Sequence, residues 1–157
     1  MEIDFKKLSP MMRRYFEMKE EYPDCLLFFR LGDFYEMFFR DAEIASEILD
    51  LTLTGRNCGL EERAPMCGVP FHSVDTYIRK LIEAGQRVAI CEQLSDPTTT
   101  KGMLERDVVR VISPGTVMEE EILDEKSSNY IVSIFTDDKS FGLAWADIST
   151  GEFNTCQ

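Results

Sequence analysis

Apolar side chains recur along this chain with a helical period in some stretches and a strand period in others, and the changes mark its elements. Ser9-Pro10 has the form of a helix N-cap with proline in the first turn, after which Met11, Tyr15 and Met18 fall on one helical face. That helix stops before Pro23. CLLFFRL (25–31) is a continuous apolar run of strand length, and Gly32-Asp33 interrupts it before FYEMFF resumes an extended pattern. Two short strands around a tight turn are expected. DAEIASEILDL (41–51) returns to helical spacing through Ala42, Ala45, Ile48 and Leu49, and leads into the threonine-rich, strand-like LTLTGR (51–56).

NCGLEERAP (57–65) has the chemistry of a surface loop, and Gly68 and Pro70 are expected to keep the next residues irregular. Ser73 is placed to cap a helix in which Val74, Tyr77, Ile78, Leu81 and Ile82 share a face and Gly85 ends the run. The β-branched runs QRVAICEQL (86–94) and DVVRVIS (107–113) predict two buried strands, separated by the polar SDPTTTKG. Helices alternating with strands give a mixed α/β (α+β) layer structure, its sheet flanked by helices on at least one face. Pro114-Gly115 and the acidic run MEEEILDEKSS (118–128) mark a boundary, after which NYIVSIFTDD, KSFGLAWADIS and GEFN read as a three-strand meander. Its turns fall at Asp137-Asp138-Lys139 and Thr150-Gly151. The expected organisation is a first domain over 1–116, a linker over 117–128 and the opening strands of a second domain over 129–157. That second unit is too short to close its own core, as in a fragment of a longer protein.

A length of 157 residues with 44% hydrophobic content is enough to bury a core. No segment has the apolar length to span a bilayer, and the N-terminus lacks the uninterrupted apolar run of a secretory signal, so the expected location is the cytoplasm. Five cysteines, odd in number and without a CxxC pair, read as reduced thiols. The formal net charge of −12 argues, taken alone, against a nucleic-acid partner. Its distribution softens that argument. Residues 1–115 hold 15 basic and 20 acidic side chains, whereas residues 116–157 hold 2 and 9.

Neither GxxxxGK[ST] nor GxGxxG occurs, so no phosphate cradle for ATP is expected in these residues. His72, the single histidine, precedes the cap Ser73 and reads as structural, and the close His and Cys spacing of a zinc site is missing. Asp33, Glu36 and Glu92 are the candidates for magnesium ligands in a nuclease-like phosphodiester site. Against that, Asp33 is equally explained as a turn residue, and a period of two sets it on the opposite strand face from Glu36. Phe34 and Glu36 share one face; Tyr35 and Met37 share the other. If the latter pair faces the core, Phe34 stands exposed at the lip of the turn beside a carboxylate. Two readings stay open: a core aromatic next to a solvated charge, or a wedge able to stack on a base with an acceptor beside it.

Several longer motifs narrow the choice. SPMMRRYFEMKEEYPDCLLFFRLGDFYEMF, LTLTGR, APMCGVPFHSVDTYIRKLIEAG, VAICEQLSDP and ERDVVRVISPGT, in that order through residues 9–116, closely resemble the N-terminal mismatch-recognition domain of the MutS family of DNA mismatch repair proteins. Residues 117–157 resemble the start of the family's connector domain, which implies a ribonuclease-H-like α/β fold there. The resemblance implies that Phe34 and Glu36 carry the family's Phe-x-Glu motif, the ring stacking on a mispaired base in the minor groove and the carboxylate hydrogen-bonding it. It also implies DNA-proximal roles for Arg56, Met66, Gln93 and Arg106. Asp107 stands where family members often have a basic residue, which removes a phosphate contact expected there. The chain on this reading is a non-enzymatic module that holds no cofactor itself. ATP and magnesium are expected in an ATPase region outside these residues, and homodimerisation and a MutL-type partner are expected of the full-length protein. Besides the nuclease reading, a further alternative is a protein-interaction fragment that docks a repair partner through its acidic surface and exposed strands.

Overall fold

The computed structural model describes residues 5–95, 104–114, 128, 130–137 and 140–156. Helix α1 spans Pro10–Glu21, and Ser9 caps it by accepting from the Met12 amide at 3.4 Å. It buries Met12, Tyr15 and Met18, with Met11 at the margin of the same cluster. Strands β1 (Cys25–Leu31) and β2 (Phe34–Phe38) form the expected hairpin, Gly32 taking the left-handed φ of 59° that the tight turn needs. Then come α2 (Phe39–Leu49), β3 (Thr54–Arg56), β4 (Ala64–Pro70), α3 (Val74–Glu83), β5 (Arg87–Gln93) and β6 (Arg106–Ile112).

These six strands make one mixed sheet in the order β3-β4-β2-β1-β5-β6, in which β1 and β5 run parallel and every other pair is antiparallel. Helices α2 and α3 cover one face through Ala42, Ala45, Leu49, Ile78 and Leu81, and α1 covers the other. Cover on both faces is why Cys25 to Phe29 are all buried and why β1 reads as an unbroken apolar run.

A buried carboxylate joins the layers. The β1–β2 pairing runs only from Phe29↔Glu36 to Leu31↔Phe34: β2 stays paired to β4 as far as Phe38, whose carbonyl accepts from the Tyr15 hydroxyl, and the chain turns at Phe39, where φ is 51°, to start α2. The Leu27 amide, deprived of a β2 partner, donates instead to Asp41 Oδ2 at 3.0 Å. The same oxygen accepts from the Tyr15 hydroxyl at 3.1 Å, and Oδ1 pairs with Lys19 Nζ at 2.8 Å. One side chain of α2 thus ties α1 and β1 in place.

Four expectations need correction. Ala64–Pro70 is a strand of the main sheet and not an irregular segment, so the loop is confined to 57–63. Its prolines fit because each faces a single neighbour: Pro65 pairs only with Gly55 of β3, and Pro70 only with Phe34 of β2. LTLTGR is extended into the sheet only from Thr54, since Asp50 takes a left-handed φ of 54° to end α2 and the Leu51 amide bonds back to Ser46. Ser73 does not cap α3 with its side chain; a 3-10 turn over Phe71–Ser73 intervenes, and the Ser73 hydroxyl donates to Pro70 O. Strand β6 is an edge strand, half exposed, with Val109 54% accessible at a bulge opposite Ile90 and Cys91.

Tyr130–Thr136, Phe141–Asp147 and Glu152–Cys156 form β7, β8 and β9, the antiparallel meander read from the sequence. Gly151 takes φ 74° at the second turn. Asp138 and Lys139 of the first turn, the stretch SDPTTTKG after Ser95 and most of the expected linker lie outside the described residues. Four of the five cysteines are buried and Cys156 is exposed, all as free thiols. Among the described residues no helix is long and apolar enough to cross a membrane.

Replacing Asp41 with Ala leaves the buried Leu27 amide unpartnered, strips Lys19 of its ion pair and leaves the Tyr15 hydroxyl only Phe38 O, and is expected to cost about 3 kcal/mol. Asp41→Asn, which keeps an acceptor, should cost less; urea unfolding of both variants checks the order. A second expectation concerns alkali. Burial pushes the Cys67 thiol up to about 11 and the Cys91 thiol up to about 12, against an ordinary 9.0, and raises Cys25 and Tyr15 as well. The folded chain then holds protons that the unfolded chain releases, so this stability is complete below pH 9.0 and is lost as pH rises towards 12. A melting temperature flat from pH 8 to 11 would contradict it.

Candidate nucleic-acid interface

Strand parity decides which side chains share a surface. Tyr35 and Met37 are buried against α2 and α3, which turns Phe34 and Glu36 to the α1 face. Pairing extends that face across the sheet: Phe29 lies opposite both Glu36 and Cys91, Gln93 opposite Arg106, Phe38 opposite Met66, and Met66 opposite Thr54. Phe34, Glu36, Arg56, Met66, Gln93 and Arg106, drawn from five strands, therefore point to one side. Helix α1 packs on this face at Phe29, Phe38, Ala89 and Cys91 and leaves the Phe34 side uncovered. Phe34 is 46% exposed, so the core-aromatic reading of its ring does not hold.

Two open concavities meet at Glu36. One, of about 610 Å³, is lined by Arg30, Asp33, Glu36, Arg56, Glu92 and Arg106 among others. The other, of about 310 Å³, lies against Phe34, Glu36, Thr54, Met66 and Gly68. All six residues singled out in the sequence line one or both. The larger cavity brings three arginines to three carboxylates, which makes it locally balanced in a strongly acidic chain.

The three arginines are held differently. Arg30 stacks on Phe71 with its guanidinium carbon 3.8 Å from the ring centroid, donates to Gly32 O and lies 3.9 Å from Glu92. The Phe71 amide donates to Asp33 O at 3.0 Å, so both turn residues that precede Phe34 are fixed by backbone bonds. Arg106 is only 7% exposed; it donates to Leu104 O and Arg30 O and lies over the Phe29 ring. It acts here as a brace between β6 and β1. Arg56, on the short edge strand β3, forms a single ion pair, with Glu36. Opposite Glu36 sits Gly68, where an added Cβ would meet Glu36 Cγ at 3.4 Å and Tyr35 O at 3.2 Å. The missing side chain gives the carboxylate its room.

Behind the rim, the Tyr35 hydroxyl donates to Glu92 across β1. Burial, and then the Glu92 carboxylate, pushes the phenol up to about 12. Asp33, Glu36 and Glu92 do line the same cavity, but Glu36 is paired with Arg56 and Glu92 with Arg30 and Tyr35. Among the described residues no group of three His, Cys, Asp or Glu side chains is placed to share a metal ion. His72 is exposed, edge-on to Phe71. The sequence reading missed Arg30, Phe71, Gly68 and the Tyr35–Glu92 link; a lone arginine ending an apolar run beside a turn was the available signal.

An exposed ring and a partly buried carboxylate, set on a braced sheet rim beside arginines, make a candidate binding module. Comparison with known proteins gives its kind: the family model described as MutS domain I matches residues 9–121, and the chain belongs to the MutS family. It is 62% identical over 146 residues to the DNA mismatch repair protein MutS of Acetivibrio thermocellus, covering 93% of this chain and 17% of that protein. Against the MutS of Clostridioides difficile it is 59% identical over 157 residues, 99% of this chain and 17% of that one. Against the MutS of Clostridium botulinum it is 57% identical over 148 residues, 94% and 16% of the two chains. The chain thus spans about a sixth of the length of these relatives.

Tyr35→Phe deletes the hydroxyl that links β2 to Glu92 without changing the ring. The expected loss is about 1.5 kcal/mol, read from urea unfolding at neutral pH. An unchanged midpoint would show that water replaces the hydroxyl at Glu92 at no cost.

Proposed function

We propose that residues 1–116 form the mismatch-probing module of a MutS-type DNA repair protein, with Phe34 as the wedge and Glu36 as the group that hydrogen-bonds the disturbed base. The observation that carries this reading is the exposed Phe34 ring beside Glu36 on the uncovered sheet rim of a MutS-family chain. The minor groove presents a degenerate pattern, so a protein there tests how easily a step unstacks and bends and not which bases it holds. Wedging a ring between paired bases costs a few kcal/mol, and less where a mispair has already weakened the step. That difference is the selectivity. Glu36 sharpens it, because a carboxylate close to phosphates is unfavourable unless a base donor meets it.

A net charge of −12 suits a probe better than a grip, and leaves electrostatic clamping to other parts of the whole protein. Arg56, Met66 and Gln93 flank the probe on the same face as DNA-proximal residues. Arg106 supports them from beneath, its guanidinium already bonded to two carbonyls. Residues 129–157 begin the connector domain, and ATP binding, homodimerisation and a MutL-type partner belong to the whole protein.

The test is a low-salt NMR titration of this chain with two duplexes identical except for one G·T mispair. Amide shifts at Phe34 and Glu36 confined to the mispaired duplex are expected. Phe34→Ala should abolish the preference, and Glu36→Ala should tighten binding to the paired duplex. Equal losses on both duplexes in both variants would sink the reading. Strand cleavage on adding magnesium would point to a nuclease instead.

A further inference from the structure

Among the three arginines of the larger cavity, Arg56 stands apart. Arg30 is fixed by Gly32, Phe71 and Glu92, and Arg106 by two carbonyls and the Phe29 ring. Arg56 rests on Glu36 alone among the described residues, lies on a three-residue edge strand, and its side chain is 37% exposed. Glu36, at 15%, has no other hydrogen-bond partner among the described residues. The pair is therefore exclusive on both sides, with a movable cation and a recessed anion. A base that is to take Glu36 Oε2, the oxygen that Arg56 holds, must displace Arg56.

We propose that Arg56 is a specificity-determining latch: it occupies Glu36 in the free protein and on paired DNA, and transfers to a backbone phosphate when a mispaired base takes its place. This rests on the mismatch-probing reading above. A guanidinium fits either acceptor, since carboxylate and phosphate both match its planar fork. The exchange makes base contact and phosphate contact interdependent. On a paired duplex no base donor rewards the release of Glu36, so Arg56 stays where it is and adds no phosphate contact. The mispaired complex gains that contact.

Salt dependence reads this directly, because each phosphate neutralised adds about 0.9 to the slope of log K against log salt on duplex DNA. For the unaltered chain the slope should be steeper by about 0.9 on the G·T duplex than on its paired counterpart. Arg56→Gln should lower the G·T slope to meet the paired one, and Arg56→Lys should largely keep it. Glu36→Gln should free Arg56 on both duplexes and raise the paired slope to match. A G·T slope unmoved by Arg56→Gln, or both slopes reduced alike, would overturn the latch while leaving the probe intact. No mispair preference in the unaltered chain would remove both. Thermal unfolding of each variant separates a lost contact from a lost fold.

Discussion

The join between the main sheet and its helices depends on the Asp41 carboxylate, which takes the place of missing pairing between β1 and β2. Where the β1–β2 pairing ends early, a side chain from the next helix accepts from the orphaned amide of β1 and, with the same two oxygens, holds α1. A polar group this deep is tolerable only because its acceptor capacity is so fully used. The early ending has a second effect. It lets β2 be short, with Phe38 buried at one end and Phe34 exposed at the other, so that a single five-residue strand joins core to rim.

The rim works by contrast between fixed and free groups. Arg30, Phe71, Glu92 and Tyr35 form a scaffold beneath the turn, and Arg106 braces the sheet at its other side. On the function proposed above, a probe of the resistance of a DNA step needs a rigid mount, or its own bending would absorb the difference it is to sense. Arg56 and Glu36, by contrast, have each other as their one side-chain partner among the described residues. Rigidity and adjustability are divided between neighbouring side chains of one cavity.

Most of the elements were legible in the sequence, because both periods are clean where one face of a helix or strand is buried. β1 and its turn, α1 and the three-strand meander follow from local patterns alone. β4 was missed because its two prolines and glycine carry the local signal of a loop, and only its place between β2 and β3 makes them acceptable. β6 looked buried because Val108, Val109 and Val111 are apolar, yet edge position is a property of the whole sheet and not of seven residues. At the site, the faces of Phe34 and Glu36 followed from a period of two. Partner choice did not. Nothing local says that Glu36 meets Arg56 twenty positions on, or that Arg106 turns inward to carbonyls, since both depend on how distant strands are stacked side by side.

The parallel β1–β5 pair sets Cys25 opposite Arg87 at the centre of the sheet, so its middle cannot close until most of the domain exists. As the chain leaves the ribosome, Leu26, Phe28 and their neighbours emerge early and wait for Val88 and Ile90 to arrive. Long-range closure of this kind slows folding and leaves the β5 side of the most apolar strand unpaired until late. The arrangement that makes the rim stiff in the finished protein therefore leaves an apolar strand edge exposed while the chain is being made.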